Sequence, residues 1–139
     1  MVAASMTAKS KSRMLVVDDE NSVLFTYRMI LEEKGYTVDT ALTSQEAIEL
    51  VTSQAYDVVL CDLSLEQNRT GFDVFDKVRG SQPGTPCVLL TGYANEDVIA
   101  RAENEGIAVL FKPIDVADLF QAIEDALRKP HASKKQASQ

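Results

Sequence analysis

The fold is decided by a short apolar run that ends in two aspartates, Leu-Val-Val-Asp-Asp-Glu at residues 15–20. A second run of the same kind, Val-Val-Leu-Cys-Asp, follows at residues 58–62. Continuously apolar runs of this length are typical of strands that are covered on both faces, as strands of parallel sheets are. The two runs therefore predict central strands of a parallel sheet, each ending in acidic side chains.

Short apolar or β-branched runs alternate with longer segments of helical period along most of the chain. The predicted strands occupy residues 14–17, 37–40, 58–61, 87–90 and 108–111, and the predicted helices occupy residues 22–34 and 44–54 and begin near residues 72, 96 and 116. This alternation is typical of repeated β/α units. We therefore predict an α/β fold with five parallel strands and five helices, in which the first, third and fourth strands are central.

Polar residues and a glycine mark the ends of several predicted helices. Thr43 and Glu46 have the spacing of a capping box, in which the hydroxyl and the carboxylate each accept from a free backbone N–H. Asn95 and Asp115 are suited to cap the fourth and fifth helices. Gly35 follows the first helix, at a position where glycine readily takes a left-handed conformation. The helix boundaries are thus predicted as well as the number of helices.

The composition is that of one globular domain. The chain has 139 residues, 45% of them hydrophobic and 25% charged, which is enough for one core. We predict polar, disordered tails at residues 1–12 and 129–139, a folded domain at 13–128, and no attached output domain. The net charge of −7 disfavours DNA and RNA as direct partners. No apolar run approaches the roughly 20 residues of a membrane-spanning helix, so we expect a cytoplasmic protein without membrane contact.

The two cysteines and the single histidine carry no sign of a zinc site. Cys61 and Cys87 both lie in apolar runs, where a free cysteine behaves as a small buried hydrophobe. His131 lies in the polar C-terminal segment, without a second histidine or cysteine at ligand spacing. We therefore expect two reduced, buried thiols and no zinc.

Polar side chains follow four of the five predicted strands at the point where each strand ends. They are Asp18 and Asp19 after the first strand, Asp62 after the third, Thr91 after the fourth and Lys112 after the fifth. The carboxyl ends of parallel strands share one edge, where the sites of open α/β sheets form. Three carboxylates at close range repel and call for a cation, and Mg²⁺ with a phosphate group suits such ligands. Each aspartate taken alone could instead serve as a helix cap or turn former.

Four segments together resemble the receiver domain of two-component response regulators, in particular single-domain receivers of the chemotaxis type. They are Leu-Val-Val-Asp-Asp-Glu at 15–20, Asp-Val-Val-Leu-Cys-Asp at 57–62, Leu-Leu-Thr-Gly-Tyr-Ala at 89–94 and Phe-Lys-Pro at 111–113. The resemblance implies a flavodoxin-like three-layer sandwich with strand order 2-1-3-4-5. The sequence leaves open whether the Lys112-Pro113 peptide is cis, as it commonly is in the family.

The resemblance also implies a reaction and its partners. Asp62 would accept a phosphoryl group from a phosphohistidine, Lys112 would contact the phosphoryl oxygens, and Thr91 would hydrogen-bond the phosphorylated state. The donor would be a sensor histidine kinase or a histidine phosphotransfer protein, and the signal would pass to an unidentified downstream protein. Whether the protein forms a homodimer is left open.

As cofactor the resemblance implies Mg²⁺. Asp19, Asp62 and the backbone carbonyl of Ser64 would bind the ion directly, and Asp18 would contribute through water. These residues follow the first and third predicted strands, so the implied ligands agree with the acidic edge expected from the strand pattern.

Two segments depart from the family pattern. Val109 stands three residues before Lys112, where family members usually have an aromatic residue that moves with the threonine, so that coupling is in doubt. Residues 63–71 lack the proline often found after the phosphoacceptor and are one residue longer than usual, which predicts a more mobile or differently shaped loop. Ser64 and Tyr93 stand where the family tunes access of the hydrolytic water, so we expect an altered phosphoryl lifetime.

Two other functions compete with this interpretation. A degenerate receiver would keep the fold and dock to partners without phosphorylation, but Asp62, Thr91 and Lys112 are all intact. A Mg²⁺-dependent phosphatase with an aspartyl intermediate would need a second acid two residues after the nucleophile, where this chain has Ser64. We therefore expect a phosphoacceptor rather than a turnover enzyme.

Overall fold

The computed structural model describes residues 12–128. Within this range the strands are β1 (Arg13–Val17), β2 (Thr37–Ala41), β3 (Val58–Asp62), β4 (Cys87–Thr91) and β5 (Ala108–Phe111). The helices are α1 (Asn21–Glu33), α2 (Ser44–Ser53), α3 (Gly71–Ser81), α4 (Glu96–Asn104) and α5 (Val116–Arg128). A single turn of 3₁₀ helix, Glu66–Asn68, precedes α3. The predicted tails at residues 1–12 and 129–139 lie outside the described residues, apart from Ser12.

The five strands form one parallel sheet in the order β2-β1-β3-β4-β5. Every residue of β3 is buried, and so is every residue of β1 and β4 except the first. The edge strands β2 and β5 are only partly covered. The predicted strand order and the central position of the three apolar strands are therefore confirmed.

Helices cover both faces of the sheet, because side chains alternate between the faces along each strand. On one face Leu15, Val59 and Leu89 pack in a core with residues of α2, α3 and α4. On the other face Met14 and Leu60 pack in a second core with residues of α1 and α5. The result is the predicted three-layer sandwich with five helices.

The predicted helix signals are mostly confirmed. Gly35 follows α1 with φ of +101°, in the left-handed region that glycine enters without steric cost. The Thr43 hydroxyl accepts from Glu46 N at 3.0 Å. The Glu46 carboxylate accepts from Leu42 N at 2.7 Å and not from Thr43 N as in a full capping box, so it satisfies a neighbouring donor instead. Asn95 caps α4 through Val98 N at 2.9 Å.

Both cysteines are free thiols. Cys61 is fully buried, but Cys87 is only partly buried, which corrects the prediction that both are buried. His131 lies outside the described residues. None of the helices within residues 12–128 is long and apolar enough to cross a membrane.

Candidate functional site

The predicted polar residues meet at the carboxyl edge of the sheet. Asp62 and Thr91 are the last residues of β3 and β4, while Asp18 and Lys112 directly follow β1 and β5. The four strands run parallel and adjacent, so their ends deliver these side chains to one place. The arrangement follows from the strand order, since β1, β3, β4 and β5 are consecutive in the sheet.

Three carboxylates form the acidic part of the site. Asp18, Asp19 and Asp62 each offer an oxygen, and these oxygens all lie within 4.8 Å of one another. Asp18 is 1% exposed and Asp62 is 9% exposed, whereas Asp19 faces solvent. Asp18 is oriented from its own turn, because its Oδ1 accepts from Glu20 N at 3.0 Å. The three carboxylates thus converge at a site that is open to solvent at Asp19.

Lys112 joins two of these carboxylates. Its Nζ lies 3.0 Å from Asp18 Oδ2 and 3.0 Å from Asp62 Oδ1. Burial alone would lower the pKa of the Lys112 ammonium, but its contacts with Asp62 and Asp18 raise that pKa above its ordinary value. The ammonium therefore stays charged, and the buried Asp62 carboxylate is paired with it.

The charge balance of the site suits a divalent cation. Burial raises the pKa of the Asp62 carboxyl; Lys112 lowers it, and Asp18 and Asp19 raise it further. Three carboxylates face one ammonium, so ionisation of all three leaves two negative charges without a partner. Oxygen-only ligands with surplus negative charge fit Mg²⁺, which favours carboxylates and water. The donor set therefore agrees with the predicted ion.

Thr91 is at the site, but its hydroxyl is turned into the loop that follows β4. Thr91 Oγ1 donates to Tyr93 O at 2.7 Å and accepts from Tyr93 N at 3.1 Å. Tyr93 itself is 76% exposed. A Cβ added at Gly92 would meet no atom within 4 Å. The loop thus leaves open space at Gly92, directly after Thr91.

The loop from β3 to α3 contains two left-handed residues; that its shape differs from the family's usual loop stays a prediction. Gln67 and Asn68 have φ of 51° and 64°, two consecutive left-handed residues without a glycine. Ser64 is exposed and pairs with Thr70 in an isolated antiparallel bridge. The turn ends in a capping box, since Thr70 N donates to Asp73 Oδ2 at 2.8 Å and the Thr70 hydroxyl caps α3. The mobility of this loop stays a prediction.

Sequence reasoning missed one residue of this loop, Glu66. Its carboxylate accepts from Ser44 N at 2.9 Å and from Ser44 Oγ at 2.6 Å, at the first turn of α2. Burial would raise the pKa of Glu66, but the hydrogen bonds from Ser44 lower it below its ordinary value. The two residues are 22 apart in sequence, so no local spacing indicates the contact.

The segment that follows Lys112 completes the site. The Lys112-Pro113 peptide is cis, which answers the question that the sequence left open.

Val109 is partly buried and packs against the core beneath α2, α3 and α4. Phe111, on the same strand, is 51% exposed. Val109 is therefore a packing residue of β5 in this structure.

Comparisons with known sequences agree with this geometry. Residues 14–124 match the family described as response regulator receiver domain. The transcriptional regulatory protein GlrR of Escherichia coli K12 is 31% identical over 119 residues, which cover 85% of this chain and 27% of GlrR. The transcriptional regulatory protein PdtaR of Mycobacterium tuberculosis is 34% identical over 119 residues, which cover 84% of this chain and 57% of PdtaR. The chain thus spans about a quarter of GlrR and just over half of PdtaR.

Solved structures show the same fold. A CheY-like response regulator receiver domain protein from Methanospirillum hungatei has a TM-score of 0.81 and 29% identity, with coverage of 86% of this chain and 95% of that one. The signal receiver domain of an HD domain-containing protein from Pseudomonas fluorescens has a TM-score of 0.80 and 31% identity, with coverage of 88% and 98%. The family match at residues 14–124 includes the ends of β1 and β3, with their aspartates, and Lys112 after β5. This chain therefore belongs to the receiver domain family of two-component response regulators.

Proposed function

We propose that this domain accepts a phosphoryl group on Asp62 from a phosphohistidine of a sensor histidine kinase or a histidine phosphotransfer protein. Receiver domains are phosphoacceptors that interact with such proteins and use Mg²⁺ at an acidic pocket. The observation that carries the proposal is the convergence of three carboxylates within 4.8 Å on one ammonium, that of Lys112. Docking without phosphorylation is not favoured, because this pocket is intact.

Apart from the Asp62 carboxylate, which is the nucleophile, the reaction needs no other group of the protein to form a covalent bond. An oxygen of the Asp62 carboxylate forms a bond to phosphorus while the bond between phosphorus and the donor histidine nitrogen breaks. The electron pair of that bond returns to the imidazole nitrogen. Positioning and charge neutralisation govern such transfers. Lys112, already 3.0 Å from Asp62, is placed to neutralise a phosphoryl oxygen.

Mg²⁺ would be held by Asp19, Asp62 and the backbone carbonyl of Ser64, with Asp18 contributing through water. When bound, the ion supplies positive charge to the phosphoryl oxygens. Asp18 is engaged by Lys112 and by the N–H of Glu20, which supports an indirect role for Asp18. Asp19 faces solvent and is open to an arriving ion.

Signalling would follow from the Thr91 hydroxyl. In this structure that hydroxyl bonds to the backbone of Tyr93. In a second arrangement of the loop, the hydroxyl would bond to the phosphoryl group instead. A phosphoryl group on Asp62 interacts better with the arrangement in which Thr91 turns toward it, and that arrangement gains population. Because Val109 is a partly buried packing residue, we infer that the change is transmitted by the loop and α4 rather than by the side chain at 109.

The output is protein docking. GlrR and PdtaR are named transcriptional regulators, but this chain matches only part of each, so the downstream partner here is an unidentified protein. The net charge of −7 speaks against direct nucleic-acid binding. We place the reaction in the cytoplasm, where kinases of this kind present their phosphohistidine.

The test is phosphorylation by acetyl phosphate with Mg²⁺, read as intact mass. We expect the wild type to gain the mass of one phosphoryl group and Asp62→Asn to gain none, because an amide is not a nucleophile. Asp97→Asn, an exposed aspartate on α4, is the matched control and should label as the wild type does. Labelling of Asp62→Asn at another residue would show that the nucleophile is misassigned. No labelling of the wild type would favour the degenerate receiver.

A further inference from the structure

We propose that Glu66 is a positioning residue for the metal site, because it anchors the loop between β3 and α3 to α2 and thereby fixes the Ser64 carbonyl. The inference rests on the proposed function, since Ser64 is there a ligand of Mg²⁺. It assigns to Glu66 a role that its own chemistry does not suggest, because its carboxylate binds Ser44 of α2 and is not one of the three clustered carboxylates.

The anchor is a pair of charge-assisted hydrogen bonds on a rigid element. Glu66 Oε1 and Oε2 accept from Ser44 N and Ser44 Oγ, respectively. Ser44 is the first residue of α2 and fully buried, and its N–H is one of the donors that a helix start leaves unpaired. A carboxylate at this end also interacts favourably with the helix dipole. Ala47 and Val51 fix α2 against the sheet, so Glu66 is bound to a part of the fold that does not move freely.

The loop needs such an anchor, because its own conformation is strained. Gln67 and Asn68 are both left-handed, a conformation that residues other than glycine adopt at a cost, which is smaller for asparagine than for glutamine. Two backbone bonds, Leu65 N to Arg69 O at 2.9 Å and Arg69 N to Glu66 O at 2.8 Å, close the turn on itself. Burial of Leu65 and the contact of Glu66 with Ser44 attach the closed turn to the domain.

Ser64 lies between these attachments and the end of β3. The bonds on either side of it run from Gly71 N to Leu63 O and from Leu65 N to Arg69 O. In this kind of pair the N–H and C=O of the central residue point away from the partner segment, so the bridge to Thr70 does not use the Ser64 carbonyl. The direction of that carbonyl is therefore set by Asp62 on one side and by the anchored turn on the other. Without the Glu66 carboxylate, the turn keeps the buried Leu65 but loses its hydrogen bonds to α2.

The experiment measures Mg²⁺ affinity by calorimetry and, separately, the rate of phosphorylation by acetyl phosphate as Mg²⁺ is varied. For Glu66→Gln we expect Mg²⁺ to bind about tenfold more weakly, the low end for residues that orient metal ligands. The phosphorylation rate should recover at saturating Mg²⁺, because the carboxylates and Lys112 are unchanged. Glu66→Asp keeps the charge but is one methylene shorter, so it should behave as Glu66→Gln does. Ser44→Ala removes one of the two donors and should weaken binding by less.

Glu46→Gln is the matched control. Glu46 lies in the first turn of α2 itself, and its carboxylate accepts from Leu42 N at 2.7 Å, a donor that precedes α2 and does not belong to the loop between β3 and α3. It should lower the melting temperature and leave Mg²⁺ affinity unchanged. If Glu66→Gln lowers stability but binds Mg²⁺ as tightly as the wild type, Glu66 is only structural and the inference is wrong. If the wild type itself neither binds Mg²⁺ nor accepts phosphate, the proposed function fails and takes this inference with it.

Discussion

Gly71 lies against the backbone of the proposed phosphoacceptor. A Cβ at this position would be 2.8 Å from the carbonyl oxygen of Asp62 and 3.1 Å from Cδ1 of Leu89. Backbone oxygens are not approached that closely by real Cβ atoms, so either the start of α3 or the end of β3 would have to shift. Glycine is thus required here by space. The same close approach brings the start of α3 against the end of β3.

We expect Gly71→Ala to lower the free energy of unfolding by about 1–3 kcal/mol, the usual cost of overpacking a close-packed site. Gly80→Ala is its control in the same helix: a Cβ there meets no atom within 4 Å, so alanine should raise stability by about 0.5–1 kcal/mol. Urea denaturation followed by circular dichroism measures both. Equal effects of the two substitutions would mean that the contact with Asp62 is not what selects glycine.

Residue-level patterns predicted most of the site, because parallel strands bring their carboxyl ends to one edge. Asp18, Asp19, Asp62 and Lys112 were predicted from strand ends alone and lie together in the structure. The orientation of the Thr91 hydroxyl toward Tyr93 was not predictable, because it depends on the conformation of the loop after β4 and not on the strand pattern. The strand pattern fixes where a side chain starts, and the loop decides where it points.

At the scale of elements, α3 and α4 are joined by a closed ring of four charged side chains. Arg79 lies 2.6 Å from Asp76 and 3.2 Å from Glu105. Arg101 lies 2.8 Å from Glu105 and 3.4 Å from Asp76. The Arg101 guanidinium also lies over the Phe72 ring, 4.2 Å from its centroid. The ring therefore connects the helix that follows the phosphoacceptor loop to the helix that follows the Thr91 loop.

This ring predicts a pH dependence. Burial would raise the pKa of Glu105, but Arg101 and Arg79 lower it below its ordinary value of 4.5. The stabilisation is therefore complete above about pH 4.5 and is lost as pH falls through the lowered folded-state value. We expect Glu105→Gln to cost about 1 kcal/mol at neutral pH and little in acid, measured by denaturation across pH. Glu103→Gln, outside the ring, should show no such trend, and a cost for Glu105→Gln that does not change with pH would exclude an ionic role.

The elements themselves were predicted to within one or two residues where local chemistry specifies them. The loop at residues 63–71 was not, for two physical reasons. Its left-handed positions are Gln67 and Asn68 rather than glycines, so the turn carries no local signal. The contact that anchors the loop joins Glu66 to Ser44, two residues that are far apart in sequence. The ring between α3 and α4 was missed for the same reason, since it joins Arg79 to Glu105. Such contacts depend on how the elements pack, which periodicity does not report.

At the scale of the molecule, the acidic site opposes folding. Three carboxylates within 4.8 Å share the single ammonium of Lys112, in a chain whose net charge is already −7. Like charges about 4 Å apart repel by roughly 1 kcal/mol in water and more where solvent is excluded. A bound cation, protonation of one carboxyl group or the loss of a carboxylate relieves this repulsion. We therefore expect the three carboxylates to lower the stability of the domain unless a cation binds among them.

We therefore expect Asp19→Asn to raise the free energy of unfolding by about 1 kcal/mol in EDTA, the low end because Asp19 is exposed. Mg²⁺ should stabilise the wild type, by about 2.7 kcal/mol at 100 times its dissociation constant, and stabilise the variant much less at the same concentration. Urea melts with and without Mg²⁺, followed by circular dichroism because the chain has no tryptophan, measure both effects. Glu103→Gln changes the net charge equally away from the site and should leave the Mg²⁺ effect intact. Two results would contradict this explanation: a lower stability of Asp19→Asn in EDTA, or an equal stabilisation of Asp19→Asn and the wild type by Mg²⁺. Either would show that the ion does not act by relieving repulsion between the carboxylates.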